Sequence, residues 1–276
     1  MRAAVFQSRT GVDPLLGARA LVEAAEQAVR EGADMLFTPE MSALLDRDRT
    51  RAAQAIVTED QDVALAALRE TAAKHRLWIQ LGSLALKADD GSGRLVNRGF
   101  LIDGTGAIRA RYDKLHLFDV DLSGGERWRE SDAYAAGTQA VAAETPWGRL
   151  GLSICYDLRF PVLYQALSGA GATMLAVPAA FTVPTGRAHW EVLLRARAIE
   201  SAAFVIAAAQ AGRHADGRET WGHSLVVDPW GEVLLDPDDR VGVHVVDLDF
   251  NRVEEVRRSI PVIDHRRPIP DVEVVA

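Results

Sequence analysis

The chain has 276 residues, of which 31 are Lys or Arg and 39 are Asp or Glu, so its formal net charge is −8. This acidic balance disfavours nucleic acid and anionic membranes as main partners, because both require a concentrated basic face. The single cysteine excludes an intramolecular disulfide and a zinc site built from several cysteines, and it fits a reducing compartment such as the cytoplasm. We expect no signal peptide and no transmembrane segment, because the N-terminus soon turns polar and the apolar stretches are short.

The hydrophobic pattern alternates between strands and helices along the chain. In chain order, the predicted elements are strand Ala3–Gln7, helix Ala18–Arg30, strand Asp34–Phe37, helix Val63–Ala73, strand Leu77–Leu81, strands Asn97–Asp103 and Ile108–Tyr112 in a hairpin, strand Leu150–Ile154, helix Val162–Leu167, strand Thr173–Val177, helix Arg187–Ser201, strand Phe204–Ala209, strands Ser224–Asp228 and Glu232–Leu235 in a second hairpin, and strand His244–Leu248. Continuous apolar strands separated by helices are typical of the α/β class. We predict one domain, residues 1–276, because no linker separates two halves.

Three side chains of different chemistry stand at the ends of predicted strands. Glu40 ends D-M-L-F-T-P-E, Lys114 ends I-R-A-R-Y-D-K, and Cys155 ends R-L-G-L-S-I-C. In open α/β sheets, ligands bind at the carboxyl ends of the strands, where side chains leave the core and meet the loops. The pattern therefore predicts that a carboxylate, an amine and a thiol converge on one cleft.

These groups are suited to covalent catalysis at a carbonyl. A thiol is mostly protonated at neutral pH, so a nucleophilic Cys155 needs a base or a nearby cation. Glu40 can take the thiol proton and return it to the leaving group, while Lys114 and backbone N–H groups near Tyr156 can hold an oxyanion. Spacing alone leaves other interpretations open, because a lone strand-end cysteine is most often a small buried residue and lone Glu and Lys residues are usually solvated.

Segments around these residues resemble the signature segments of the nitrilase superfamily of carbon–nitrogen hydrolases. The matching segments are F-T-P-E at 37–40, Y-D-K-L-H-L-F-D at 112–119, G-L-S-I-C-Y-D-L-R-F-P at 151–161, F-T-V-P-T-G-R-A-H-W-E at 181–191, W-G-H-S-L-V-V-D-P-W-G at 221–231 and H-R-R-P at 265–268. The first three occur in the family's order, with roughly the family's spacing. From these segments together, the chain is identified as a member of the superfamily.

The resemblance implies a role for each of these residues. Cys155 matches the nucleophile, Glu40 the general base, and Lys114 the cation beside the tetrahedral intermediate. Glu130, in W-R-E-S-D, best matches a second catalytic-site glutamate, and Glu126 is the alternative because this loop varies in length. The implied fold is an α-β-β-α sandwich, in which members commonly pair as homodimers or larger homo-oligomers.

The C-terminal half resembles one branch of the superfamily, which contains deaminated glutathione amidase and ω-amidase. A-H-W-E-V-L-L-R-A-R-A-I-E at 188–200 and A-A-A-Q-A-G-R-H at 207–214 favour the deaminated glutathione amidase side. The resemblance implies a thiol-dependent amidase for α-ketoglutaryl-type amides such as deaminated glutathione. Alternatives are an ω-amidase of α-ketoglutaramate, a carbamoylase or an aliphatic amidase. A binding protein without catalysis is disfavoured because all three reactive residues remain.

Substrates of this type carry carboxylates, so the pocket requires a fixed cation. Arg159 is the candidate, because arginine can bind a carboxylate through two parallel hydrogen bonds; its alternative is an ion pair with Asp157 or a bond to a backbone carbonyl. Phe181 and Thr185 match pocket positions of the branch, with loop packing as their alternative. Tyr156 is grouped with these substrate-binding residues because a backbone N–H near it is expected to hold the oxyanion.

We expect neither a metal nor a nucleotide cofactor. The seven histidines show no H-E-x-x-H spacing, and the chain contains neither G-x-x-x-x-G-K-[ST] nor G-x-G-x-x-G. The expected partner is therefore a small-molecule amide, together with further copies of the same chain.

Overall fold

Strands and helices alternate in the order that the sequence predicts. The structure is a computed structural model that describes residues 1–121 and 127–275. In chain order, its elements are β1 (Arg2–Gln7), α1 (Pro14–Arg30), β2 (Met35–Phe37), α2 (Arg49–Ala55), α3 (Val63–His75), β3 (Trp78–Lys87), β4 (Leu95–Ile102), β5 (Ile108–Asp113), β6 (Asp119–Asp121), β7 (Arg127–Arg129), β8 (Val141–Thr145), β9 (Gly148–Leu152), α4 (Pro161–Gly169), β10 (Met174–Ala176), α5 (Val183–Ser201), β11 (Phe204–Ala207), β12 (Ala211–Arg213), β13 (Glu219–Trp221), β14 (Leu225–Val227), β15 (Val233–Leu235), β16 (Gly242–Asp247) and α6 (Asn251–Ser259). Each predicted element is present, although β3 continues well past its predicted end.

Two six-stranded sheets form the centre of the fold. The first has the order β16-β1-β2-β3-β4-β5 and the second the order β15-β14-β11-β10-β9-β8. One apolar core fills the space between the sheets. Helices α1 and α3 pack on the outer face of the first sheet, and α4 and α5 pack on the second. The predicted α-β-β-α sandwich is confirmed.

Helix α1 begins one turn before its predicted start. The side chain of Asp13 accepts hydrogen bonds from the backbone N–H groups of Leu15 and Leu16, and Pro14 occupies the first turn. This is a favourable N-terminal cap, because a proline in the first turn gives up no helical hydrogen bond. Leu15 and Leu16 are exposed, so the apolar stripe that signals the helix starts only at about Ala18.

Helices α2 and α6 are absent from the elements predicted above. Helix α2 buries Ala52 alone among its seven residues, and α6 buries only Val253 and Val256. An apolar stripe this narrow gives little helical periodicity to detect. In the ranges that the structure describes, the longer helices also lack the sustained apolar length that a bilayer crossing requires.

The strands that precede the reactive residues point in related directions. Strands β1, β2 and β3 are parallel, and β5 runs the same way because β4 lies antiparallel between β3 and β5. In the second sheet, β9, β10 and β11 are parallel. The carboxyl ends of β2 and β5 therefore lie on one edge of the first sheet, and the segment after β9 faces them across the core.

Gly82 allows the segment that carries Glu40 to lie against the first sheet. A Cβ atom at Gly82 would stand 2.1 Å from the carbonyl oxygen of Thr38 and 2.3 Å from that of Pro39. Both distances are far below van der Waals contact, so a larger residue would displace the backbone before Glu40. Glycine is required here for close approach of two chain segments.

Candidate active site

The structure brings Glu40, Lys114 and Cys155 together in a buried cluster. All three residues are less than 9% exposed. The Nζ atom of Lys114 donates a hydrogen bond of 2.9 Å to Oε1 of Glu40. The thiol of Cys155 lies close enough to Glu40 and Lys114 for both to act on its pKa. The convergence predicted from three separate strand ends is therefore present.

A strained turn presents Cys155. Its φ angle is +50°, in the left-handed region that non-glycine residues rarely adopt, and a 3₁₀ turn runs from Cys155 to Arg159. The N–H of Cys155 donates to the carbonyl of Pro178 at 2.9 Å. Arg197 donates from Nε and Nη2 to the carbonyl of Leu158 at 3.1 and 2.9 Å. These contacts hold the turn against its conformational cost.

The side chain of Asp157 stabilises the same turn through hydrogen bonds. Its carboxylate is fully buried and accepts hydrogen bonds from the hydroxyl of Tyr112 at 2.7 Å and the N–H of Ile154 at 2.9 Å. The backbone N–H of His116 lies 3.0 Å from the same carboxylate, and its ring Nδ1 lies 2.7 Å away. His116 thus ties the segment after Lys114 to the cysteine turn, which is a structural contact.

Glu130 is a second carboxylate in contact with Lys114. Nζ of Lys114 lies 2.9 Å from Oε2 and 3.2 Å from Oε1 of Glu130. The backbone N–H of Phe118 donates to Oε2 at 2.7 Å and fixes the carboxylate. Glu130, the best sequence match to the second glutamate, therefore lies in contact with the same lysine as Glu40. The alternative, Glu126, lies outside the residues that the structure describes.

The ionisation of the cluster follows from burial and charge. Burial alone would raise the pKa of Glu40, but the charge of Lys114 and hydrogen bonds from Cys155, Lys114 and Asn97 outweigh it and lower that pKa. Burial alone would lower the pKa of Lys114, yet the charges of Glu130 and Glu40 hold it well above its usual value. Burial, with the neighbouring charge of Glu40, raises the pKa of Cys155 well above that of a free thiol.

These directions define the resting charge of the cluster. Glu40 is a carboxylate, Lys114 is an ammonium and Cys155 is a neutral thiol. With the negative charge of Glu130 that acts on Lys114, the net charge of the cluster is −1. A resting thiolate would bring the buried cluster to −2, which explains why burial and Glu40 disfavour it. The thiol therefore requires proton transfer to Glu40 at the moment of attack.

Asn97 is a site residue that the sequence analysis does not identify. Its Nδ2 donates to Oε1 of Glu40 at 2.9 Å and to Oε1 of Glu130 at 3.2 Å. The residue is 1% exposed. The available signal is a polar residue inside the apolar run L-V-N-R-G-F-L-I, because a buried amide in a strand requires polar partners.

A cavity of about 900 Å³ opens in front of the cluster. Its lining includes Glu40, Lys114, Glu130, Cys155, Tyr156, Arg159, Phe181 and Thr185. The structure therefore places all the predicted substrate-binding residues at the same cavity as the reactive groups. Thr185 also shares a hydroxyl hydrogen bond of 2.8 Å with Thr182, so packing of this loop contributes to its position.

Arg159 reaches the cavity over an aromatic ring. Its guanidinium carbon lies 5.4 Å from the centre of Phe181, and Nη1 lies 3.3 Å from Nδ1 of His189. Among the described residues Arg159 forms no ion pair, and the carboxylate of Asp157 is occupied by the three residues named above. The alternative, an ion pair between Arg159 and Asp157, is therefore not formed among the described residues.

A different group of side chains could ligate a metal ion. The ligand atoms of His223, Asp236 and Asp238 lie within 4.8 Å of one another. The two carboxylates are exposed, and none of the three residues lines the cavity. The group is therefore separate from the reactive cluster.

Most of the chain matches one family model. A family model described as carbon–nitrogen hydrolase matches residues 2–258. The chain belongs to the carbon–nitrogen hydrolase family. Its sequence resemblance to the nitrilase superfamily is thereby confirmed.

Individual members of the carbon–nitrogen hydrolase family match along most of the chain. Deaminated glutathione amidase of Yersinia enterocolitica is 41% identical over 249 residues, which cover 90% of this chain and 87% of that protein. The crystal structure of the Caenorhabditis elegans NitFhit protein superposes with a TM-score of 0.88 at 40% identity, over 96% of this chain and 65% of that longer chain. These matches support the deaminated glutathione amidase branch.

A third similar structure is that of an amidase with a modified cysteine. An amidase mutant from Nesterenkonia sp. AN1 superposes with a TM-score of 0.77 at 26% identity, over 95% of this chain and 98% of that chain. Its structure shows the Michael addition of acrylamide at the active-site cysteine of that protein.

Proposed function

We propose that this carbon–nitrogen hydrolase is an amidase that cleaves α-ketoglutaryl-type amides such as deaminated glutathione through a thioester on Cys155. The observation that carries the proposal is the contact between Lys114 and Glu40 beside the Cys155 thiol, in the lining of the cavity. The names of the relatives that match most of the chain support the choice of substrate.

Acylation begins when the sulfur of Cys155 attacks the amide carbon. Its proton moves to Glu40, and the carbonyl oxygen becomes an oxyanion near Lys114. The net charge of the cluster stays at −1, because Glu40 is neutralised as the oxyanion forms. Negative charge thus moves toward the ammonium group, which favours the tetrahedral intermediate. The C–N bond then breaks, and the leaving amine takes the proton from Glu40.

The backbone N–H of Tyr156 is suited to share the oxyanion with Lys114. Its two neighbours are already used, since the N–H of Cys155 donates to Pro178 and that of Asp157 donates to Ile154. Within the described part of the chain, the N–H of Tyr156 donates to no acceptor. Oxyanion holes are usually formed by such free N–H donors close to the attacking nucleophile.

Deacylation uses the same groups in the reverse direction. Water attacks the thioester carbon and gives a proton to Glu40, while Lys114 and the Tyr156 N–H hold the second oxyanion. The C–S bond breaks, the carboxylic acid leaves, and the proton on Glu40 returns to the sulfur of Cys155. Dividing amide hydrolysis between two intermediates lowers the barrier of each step.

The substrate assignment is tested by comparing four amides. We expect the highest kcat/KM for deaminated glutathione, and lower values for α-ketoglutaramate, an N-carbamoyl amino acid and a short aliphatic amide. Intact-mass spectrometry during turnover should show an acyl adduct on the only cysteine. Failure to hydrolyse all four amides, or a preference for the carbamoyl substrate, would contradict the proposal.

Arg159→Ala is expected to raise KM for acidic amides by about 10- to 100-fold, because a charged hydrogen-bonded carboxylate loses its partner. A neutral amide should lose no more than about threefold. Arg187→Ala is a matched control, since Arg187 lies over Trp221 at 5.7 Å and does not line the cavity. Equal losses for acidic and neutral amides in Arg159→Ala would show that Arg159 is not a carboxylate site.

The pH profile should reflect the lowered pKa of Glu40. A base must be ionised to act, so activity is lost as pH falls through the pKa of Glu40, and we expect the acidic limb of kcat/KM below pH 4.5, the usual glutamate value. The measurement uses a neutral amide, so that the substrate itself does not titrate. A half-maximal rate about two pH units higher would mean that Glu40 is not the base.

We also propose that the chain acts as a single domain in a homodimer or larger homo-oligomer, in a reducing compartment such as the cytoplasm. Large exposed apolar residues on and near α4 and α5 support self-association: Val162, Val192, Ile199 and Trp230 are each more than half exposed. The compartment is supported by the chemistry, because oxidation of Cys155 would block the proposed nucleophile.

A further inference from the structure

The two oxygens of the Glu40 carboxylate have different surroundings. Oε1 accepts hydrogen bonds of 2.9 Å from both Lys114 Nζ and Asn97 Nδ2. Oε2 accepts one, of 3.0 Å, from the N–H of Ala180. The same N–H also lies near enough to Cys155 to lower the pKa of its thiol, and from this shared neighbour we infer that Oε2 is the oxygen on the side of the thiol. The thiol proton therefore has an acceptor that is not already bound to Lys114.

Asn97 donates one hydrogen bond to each glutamate. An amide NH₂ group has two donors, and Nδ2 of Asn97 lies 2.9 Å from Glu40 and 3.2 Å from Glu130. The opposite amide orientation would place its oxygen against two carboxylates, so the charges determine the orientation. Oδ1 is buried and accepts no hydrogen bond from the residues described, so Nδ2 makes the polar contacts of this side chain.

These contacts make Asn97 the neutral counterpart of Lys114. Both groups bridge Glu40 and Glu130, but Asn97 adds donors without adding a charge. Its hydrogen bond is among those that lower the pKa of Glu40. When Glu40 takes up the thiol proton, Asn97 and Ala180 still hold its two oxygens, so the carboxyl group keeps its orientation while Lys114 turns toward the oxyanion.

We propose that Asn97 is a positioning residue that bridges the carboxylates of Glu40 and Glu130 and directs Oε2 of Glu40 toward Cys155. The inference rests on the proposed amidase function and adds to it a group that does not touch the substrate. It predicts that Asn97 sets the pH at which the base becomes active. A purely structural residue would change stability and leave that pH unchanged.

The decisive variant is Asn97→Asp, which keeps the shape of the side chain and replaces the donor with a carboxylate. Three carboxylates then share one ammonium, so the acidic limb of kcat/KM should move up by about one pH unit or more. We expect kcat to fall by about 10- to 100-fold and KM to stay within about threefold. Asn97→Ala, which removes the donor without adding charge, should move the limb in the same direction by a smaller amount.

A second measurement needs no substrate. Cys155 is the only cysteine, so iodoacetamide labelling followed by intact mass reports on this thiol alone. The added negative charge in Asn97→Asp should raise the thiol pKa further and slow labelling near neutral pH by about tenfold. If the wild-type chain hydrolysed no amide, the proposed function would fail, while the labelling rates would still decide the role of Asn97.

Gln80→Glu is the matched control. Gln80 is a buried amide on β3 of the same sheet, and its Nε2 donates at 3.4 Å to the carbonyl of Leu81. Gln80→Glu should change the melting temperature. It should leave the acidic limb of kcat/KM and the rate at which iodoacetamide labels Cys155 as in wild type. The proposal would be overturned if the Asn97 variants fold but keep the wild-type acidic limb of kcat/KM and the wild-type labelling rate of Cys155. Loss of the melting transition in both Asn97 variants would assign Asn97 to the fold and also overturn it.

Discussion

Cys155→Ala is expected to abolish amide hydrolysis, lowering kcat by on the order of 10⁴-fold or more. Alanine cannot form the thioester, and no other cysteine is present to replace it. The remaining cavity, Lys114 and the Tyr156 N–H would still bind substrate, so KM should change much less than kcat. The measurement is steady-state hydrolysis of deaminated glutathione, with intact-mass spectrometry to show that the acyl adduct is missing.

The stability of Cys155→Ala should remain close to that of wild type. The substitution removes one buried sulfur and keeps the φ angle of +50°, so the strained turn is retained. Cys155→Gly gives a useful comparison, because glycine adopts positive φ without steric cost and should be more stable than the alanine variant by about 1 kcal/mol. Both variants should be inactive. Hydrolysis by either of them above the rate without enzyme would remove Cys155 from the mechanism.

The reactive residues and the fold class are predictable because they leave local signals. Glu40, Lys114 and Cys155 each follow an apolar run, and buried strands and their ends are the clearest feature of an α/β sequence. Each also lies within a segment that resembles the superfamily. Glu130 is predictable only through that resemblance, because the polar loop around it has no periodic pattern.

The contacts of Asn97 and Asp157 are not predictable from the sequence, because their partners are remote in the chain. Asn97 binds Glu40, which lies 57 residues away, and Asp157 binds Tyr112, which lies 45 residues away. Side-chain contacts of this kind depend on how the two sheets and their loops meet. A single sequence shows that these polar residues stand beside apolar ones, but it does not show which distant groups satisfy them.

Lys114→Met is expected to remove activity and to destabilise the fold by about 3–5 kcal/mol, the usual cost of removing one partner from a buried ion pair. Lys114 is 2% exposed and is the ammonium that contacts both Glu40 and Glu130. Without it, the buried carboxylate of Glu40 and the partly buried carboxylate of Glu130 share Asn97 as a donor. The free energy of unfolding should be measured from urea titrations near neutral pH.

The pH dependence of the destabilisation by Lys114→Met distinguishes an effect of unpaired charge from a packing defect. In the Lys114→Met variant, burial and the nearby carboxylate of Glu130 should raise the pKa of Glu40 above that of the unfolded chain. Protonation then favours the folded state, so the destabilisation relative to wild type should shrink as pH falls from neutral toward about 5. A packing defect would stay constant over that range.

Two further variants test whether uncompensated negative charge causes the loss of stability in Lys114→Met. Adding Glu130→Gln to Lys114→Met removes one of the two uncompensated carboxylates, so it should restore part of the stability without restoring activity. Lys74→Met is the surface control, because Lys74 is exposed and lies 3.8 Å from Glu26, and it should cost less than about 1 kcal/mol. If Lys114→Met unfolds at the same urea concentration as Lys74→Met, Lys114 does not hold the two glutamates together, and the resting charge of −1 assigned to the cluster is wrong.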